Sequence, residues 1–326
     1  MMNCLGCYTE VRVGYCVKCR DRLFDKAKVP ATLSFDAPKA DNLRAFQEHS
    51  KRLSISGVQL KYSVRREENE LVLSDTNGMY ILKPVSASKQ LLYADDAPEN
   101  EHLTMQIARQ VYGIQAAESG LIYFKDQQPA YITRRFDVQP DGNKLMQEDF
   151  AQLTNRTKDT HGIAYKYDGT YEEIGLLIKR YVAAAIPALE RFFQLVIFNY
   201  VFSNGDAHLK NFSLMRMETG EYQLTPAYDL MCSVIHTPHE ADTALDLYEG
   251  DMNSDHYLTH GYYGRADFME LANRLGIVSS RALRMIEQFE TKGNLTKSLI
   301  EKSFLSAETK ALYRANMLEK LKRLNA

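Results

Sequence analysis

Residues 189–202 form a helix-length run that is apolar nearly all the way round. Phe192, Phe193, Val196, Ile197, Tyr200 and Val201 are not confined to one stripe, so a helix here has to be enclosed on every side. Its expected setting is the centre of a larger helical body, and 326 residues, 45% of them hydrophobic, suffice to build one. The run stops at Asn204-Gly205-Asp206, where Asn and Gly tolerate the positive φ of a turn.

What precedes that helix reads differently. In Val58, Leu60, Tyr62 and Val64 apolar residues alternate with polar ones, the period of a half-buried strand. A charged turn at 65–69, the strand Leu71-Val72-Leu73, an Asn77-Gly78 hairpin turn and a third strand over 79–83 follow, with Pro84 ending the ladder. Pro98 opens a helix with Leu103, Ile107 and Val111 on one face and Gly113 as its cap, and two more strands are expected at 120–124 and 130–133. From 147 onward the pattern is mainly helical, including 281–292 and 307–324. Residues 29–49 read as a connector with a short helix at 42–49. The order, small antiparallel sheet with one helix and then a helical half, predicts an α+β protein of two lobes with its chemistry in the cleft between them. The expected divisions are a cysteine knuckle at 1–28, a sheet lobe at 29–136 and a helical lobe at 137–326.

Three segments supply the parts that phosphoryl transfer requires. Asp206 and Asn211 stand five residues apart, the interval at which kinase catalytic loops place a hydroxyl-orienting carboxylate and a magnesium-binding amide. Asp229, after a strand at 221–224 and a turn at Pro226, is a candidate metal carboxylate, since magnesium takes hard oxygen ligands. Lys83 ends a strand facing the expected cleft, where its ammonium can meet phosphates; Glu101 is its natural ion-pair partner, and Glu99 fits equally on spacing. Ser54, Ser56, Gly57 and Val58, with Lys61 beyond them, form a small-residue loop before the first strand where backbone N–H groups can approach phosphate oxygens. It matches neither Gly-x-Gly-x-x-Gly nor the Walker pattern, and a plain turn explains it as well. Either serine lies within reach of a bound nucleotide, and a phosphate there would repel the nucleotide's own. His208 is a further candidate phosphate contact, while Met231 and Cys232 read as core and His236 and His239 as loop residues.

The amino terminus carries a separate signal. Cys4, Cys7, Cys16 and Cys19 make two Cys-x-x-Cys pairs, a spacing that suits tetrahedral zinc, with 8–15 long enough for a hairpin; free thiols and a disulfide are the alternatives. A zinc with four protein ligands keeps no open position and would fasten the terminus, not catalyse. The formal charge of −2 supplies no global field for nucleic acid. No basic start followed by an apolar run suggests secretion, and no apolar stretch nears the roughly 20 residues that span a bilayer, so a cytoplasmic protein is expected.

Taken together, Ser54-Ile55-Ser56-Gly57-Val58-Gln59, Ile81-Leu82-Lys83-Pro84, Glu99-Asn100-Glu101-His102, Arg134-Arg135-Phe136-Asp137, Gln147-Glu148-Asp149-Phe150, residues 204–212 and Pro226-Ala227-Tyr228-Asp229 resemble the HipA-like serine/threonine kinase toxins, the short HipT branch in particular. The likeness runs in order over about residues 50 to 320. It implies a two-lobed protein-kinase-like fold, with Asp206 as catalytic aspartate, Asn211 and Asp229 as magnesium ligands, and Lys83 and Lys61 on the phosphates of ATP. It also implies adenine contacts around Arg134 and Phe136, His208 near the phosphates, and Ser54 or Ser56 as a self-phosphorylated serine. In the family the target is an aminoacyl-tRNA synthetase, and a helix-turn-helix antitoxin is the usual partner. Full-length HipA proteins carry an extra amino-terminal subdomain, which in the short branch a separate small protein supplies; the four-cysteine start is not part of the HipA pattern. The rival readings are a small-molecule kinase and a non-catalytic, zinc-tethered binding module on a degenerate kinase fold.

Overall fold

A computed structural model of the chain describes residues 1–39, 60–76, 78–86, 88, 90–139 and 141–325. The terminus opens with two short antiparallel strands, β1 (Met2–Asn3) and β2 (Glu10–Val11), and an eight-residue helix, α1 (Val17–Phe24). The hairpin expected over 8–15 is therefore displaced: its strands close around Cys4 and Cys7, because Glu10 and Val11 pair back to Asn3 and Met2. Cys16 caps α1 by accepting from the Cys19 N–H.

Five antiparallel strands then form the small lobe: β3 (Tyr62–Glu67), β4 (Glu70–Leu73), β5 (Tyr80–Pro84), β6 (Ser119–Tyr123) and β7 (Pro129–Arg134), in the order β4-β3-β5-β7-β6. The turn expected at 65–69 shrinks to two residues, since Arg65, Arg66 and Glu67 stay in the ladder and Glu68 takes φ 53°. The expected 77–78 hairpin is not formed as such. Strand β4 pairs on one side of β3 and β5 on the other, so the chain has to cross over β3 between them. Gly78 makes that crossing, and a Cβ on it would sit 1.8 Å from the Ser63 hydroxyl. The glycine answers a need for close approach, not for positive φ. Asn77 lies outside the described residues, as do the 42–49 helix, Val58 and the loop of Ser54, Ser56 and Gly57.

Strand alternation splits the lobe. Tyr80, Leu82 and Ile132 enter a core shared with Leu5, Leu23, Phe24 and Leu33 of the amino-terminal segment. That segment also covers the sheet edge: the Leu121 N–H donates to the Leu5 carbonyl at 2.8 Å, and Tyr123 exchanges bonds with Ala31 and Leu33. An open edge strand is thereby closed. The opposite face receives α2 (Ala97–Gln110), which begins with Pro98 in its first turn and closes past Gly113 with the Ile114 N–H on the Ala108 carbonyl. Its burial is not confined to Leu103 and Ile107: every side chain from Ala97 to Ala108 is buried.

The large lobe opens with a strand where helix was expected. β8 (Met146–Asp149) pairs with β9 (Ser213–Arg216), which pairs with β10 (Tyr222–Leu224). Helices α3 (Phe150–Leu153), α4 (Lys158–His161), α5 (Tyr171–Tyr181), α6 (Ala185–Val201), α7 (Asp255–His260), α8 (Arg265–Leu275), α9 (Ser279–Thr291), α10 (Gly293–Lys302) and α11 (Ala307–Leu324) follow. The apolar run of 189–202 is α6, and α5, α8, α9 and α11 all pack on it. No helix among the described residues is long and apolar enough to cross a membrane.

Candidate active site

Strand β5 sends Ile81 and Lys83 to the side away from the amino-terminal core, into a cleft of about 860 Å³ between the lobes. The Lys83 Nζ donates to Glu101 Oε1 on α2 and to Asp229 Oδ1 beyond β10, both at 2.5 Å. Lys83 and Glu101 are only 2% and 1% exposed. Burial alone would lower the lysine, but Asp229 and Glu101 outweigh it and hold Lys83 above the ordinary lysine range, fully charged. Spacing left Glu99 and Glu101 equivalent; two residues apart on a helix, they face different ways. Glu99 meets no cation among the described residues, and burial pushes its carboxyl up to about 8.

Asp229 has a second partner, Lys61, whose Nζ lies 2.9 Å from the other carboxylate oxygen. Burial would raise Asp229, yet the two ammonium groups hold it well below the usual carboxylate range. Its backbone sits at φ 55°, a left-handed conformation that Asp adopts more readily than most residues.

Beyond α6 the chain turns at Ser203, φ 50°, and enters the loop that carries Asp206. The Gly205 N–H donates to the Ser233 hydroxyl at 2.9 Å, and Glu240 accepts from Ser233, so a half-buried acid anchors the turn. Asp206 projects outward with half its side chain exposed. Its Oδ1 accepts the Tyr167 hydroxyl at 2.5 Å and lies 3.7 Å from Lys166 Nζ and 3.8 Å from His208 Nε2. His208 is buried, and desolvation lowers it to about 4 despite Asp206, so its ring is neutral at pH 7. Neither ring nitrogen has a hydrogen-bond partner among the described residues. Asn211 Oδ1 accepts from the His208 N–H at 3.2 Å, closing the loop on itself. Lys210 pairs with Asp149 at 3.1 Å, tying the loop to β8.

Nine of the candidate site residues singled out in the sequence therefore line one cleft: Lys61, Lys83, Glu101, Arg134, Phe136, Asp206, His208, Asn211 and Asp229. Arg134 reaches it only in part, because its guanidinium turns back to Asp25 Oδ1 at 2.5 Å and to the Arg22 carbonyl. The Phe136 ring lies 5.7 Å from that of Tyr228 at the cleft wall. Cys4, Cys7, Cys16 and Cys19 stand elsewhere, in a cluster of their own. Tyr167 and Lys166, now beside Asp206, carried no sequence motif: they lie 39 and 40 residues upstream in a polar segment.

The donors suit a nucleoside triphosphate with a hard divalent cation. The Asp229 carboxylate and the Asn211 amide are oxygen donors of the kind magnesium takes. Two buried or half-buried ammonium groups and an unpartnered neutral imidazole suit phosphate oxygens. The cleft lies within the size range of small-molecule sites.

The protein-family model that matches is the HipA-like C-terminal domain, over residues 53–295. A putative kinase of Haemophilus influenzae is 26% identical over 239 residues, 69% of this chain and 68% of that protein. The putative kinase Y4dM of Sinorhizobium fredii is 30% identical over 231 residues, 65% of this chain, which spans about half (53%) of that longer protein. Among solved structures, HipA of Shewanella oneidensis MR-1, from a toxin–antitoxin complex with HipB and operator DNA, superposes with a TM-score of 0.62 at 20% identity, over 88% of this chain and 71% of that one. The Helicobacter pylori proinflammatory kinase CtkA superposes with a TM-score of 0.51 at 15% identity, over 82% and 90%. The fold is that of the two-lobed kinases, and the chain belongs to the HipA-like C-terminal domain family.

Proposed function

We propose that this chain is an ATP- and magnesium-dependent serine/threonine protein kinase acting as the toxin of a toxin–antitoxin system. The observation that carries this reading is the convergence, in one cleft, of the ion-paired Lys83, the metal-type donors Asp229 and Asn211, and the outward-facing Asp206. An acceptor hydroxyl donates its hydrogen bond to Asp206 and attacks the γ-phosphorus of ATP. The new O–P bond forms as the bond to the β,γ-bridging oxygen breaks; ADP leaves and the hydroxyl proton passes to Asp206. Lys83, fixed by Glu101, and Lys61 orient the phosphates, and the neutral His208 donates one ring N–H to a phosphate oxygen. Asp229 and Asn211 would hold Mg²⁺, which when bound supplies positive charge that neutralises the phosphate oxygens.

Half exposure of Asp206 suits a macromolecular acceptor that comes to the cleft mouth. The family resemblance supports an aminoacyl-tRNA synthetase as that acceptor, in the cytoplasm, and Ser54 or Ser56 as a site of self-phosphorylation. The HipA–HipB–DNA assembly of the structural relative supports a DNA-binding antitoxin as partner. The test is transfer from γ-labelled ATP with Mg²⁺, in host extract and with the purified chain alone, followed by phosphopeptide mapping. Label on a synthetase and on Ser54 or Ser56 is expected. Absence of transfer to any protein, the chain included, would contradict the proposal.

A further inference from the structure

We propose that Cys4, Cys7, Cys16 and Cys19 form a tetrahedral zinc site whose occupancy seats the amino-terminal knuckle against α2, the helix that carries Glu101. All four Sγ atoms lie within 4.8 Å of one another, from chain segments as far apart as residues 4 and 19. The Cys7 and Cys16 sulfurs are 3.7 Å apart. Four thiolates at about 2.3 Å from a central zinc stand about 3.8 Å from each other, so the spacing is that of a tetrahedral edge. It is far too long for a disulfide, and all four cysteines are free.

The surrounding backbone is arranged for thiolates. The Cys16 N–H points at Cys4 Sγ at 3.1 Å, the Gly6 N–H at the same sulfur at 3.4 Å, and the Cys19 N–H at Cys16 Sγ at 3.4 Å. Such N–H contacts favour the charged sulfur and fix its direction, the role of outer-shell partners in metal sites. Gly6 permits the approach: a Cβ there would lie 2.7 Å from Cys19 Sγ. Metal binding releases four thiol protons and leaves a site of net charge −2, next to a helix α1 that carries Lys18, Arg20 and Arg22 against one acid, Asp21. Cys7 and Cys19 border a crevice of about 360 Å³, which gives the ion a way in.

The knuckle's contacts give this site its reach. The Tyr8 ring packs 5.0 Å from that of His102, the residue after Glu101. Gln110, at the far end of α2, donates to the Cys7 carbonyl at 3.2 Å. Tyr15 donates to the Leu121 carbonyl of β6 at 2.5 Å. A knuckle held by metal thus grips α2 at its middle and at its carboxyl end, together with the neighbouring sheet edge. The metal site and its seating of α2 stand without the kinase reading.

The test uses the full chain, purified under reducing conditions from zinc-supplemented cells. Metal analysis is expected to find about one zinc per chain, with the four knuckle thiols unreactive until a chelator strips the ion. Cys7→Ser should cut the zinc content severalfold. A wild-type chain holding less than about a tenth of an equivalent, with all four thiols reactive, would overturn the site, and it needs no folded variant. Hydrogen exchange tests the coupling: zinc removal should speed exchange over 97–110 and 119–123 more than over α6. Unchanged exchange in those segments would overturn the seating role while leaving phosphotransfer untouched.

Discussion

At the scale of single residues, the cleft is organised by charges that hold one another in place. Asp229 carries two ammonium partners, and Lys83 two carboxylates. Removing one member of such a buried set leaves its partners uncompensated, which is why the set is more informative than any one residue. Tyr167 is the exception, since its hydroxyl occupies the Asp206 oxygen to which the proposed mechanism assigns the acceptor hydroxyl. Tyr167→Phe removes that competitor while keeping the ring against His208. Steady-state transfer to a protein acceptor should then show KM lowered by up to about tenfold, the equivalent of roughly 1.4 kcal/mol, with kcat little changed. A raised KM would mean that Tyr167 helps to seat the acceptor. Asp206 and Asn211 could be singled out because their five-residue interval follows an apolar helix, and both line the cleft. Tyr167 was not, because its contact is made by tertiary folding between segments with no shared pattern.

Among elements, α2 bears the largest burden. It buries Glu99 without a cation and His102 without a hydrogen-bond partner among the described residues. Burial lowers His102 to about 3, so the folded state resists its protonation and stability is lost as pH falls below about 6.5. Glu99 works with the opposite sign. Its folded value of about 8 exceeds the ordinary 4.5, so the folded state holds a proton that the unfolded state releases, and stability falls as pH rises from 4.5 to about 8. Between about 6.5 and 8, above the range in which His102 acts, the Glu99 contribution falls at a slope of at most about 1.4 kcal/mol per pH unit. Urea denaturation across that window should show the decline in the wild type and a flatter profile in Glu99→Gln; identical slopes would refute it. The sequence pattern showed a helix with one apolar face, because periodicity registers Leu103 and Ile107 and is blind to buried polar residues. The same limit hid the strand crossing at Gly78, where the glycine serves close packing, and the four-residue β8, too short for a period.

For the whole molecule, the two-lobed order was readable from composition by region: alternation up to Thr133, then helices around an all-round apolar core helix. What could not be read was how the parts close on each other. The amino-terminal segment shares the sheet's core and its edge, and the large lobe reaches the small one through Asp229 on Lys61 and Lys83. The cleft and its chemistry are products of that closure. The most direct test of the central claim is therefore Asp206→Asn, compared with the wild type for ATP binding with Mg²⁺ and for transfer from γ-labelled ATP. The variant should bind nucleotide as the wild type does and lose transfer by on the order of 10²-fold or more. Transfer near the wild-type rate would contradict the assignment of this cleft as a phosphotransferase centre built on Asp206.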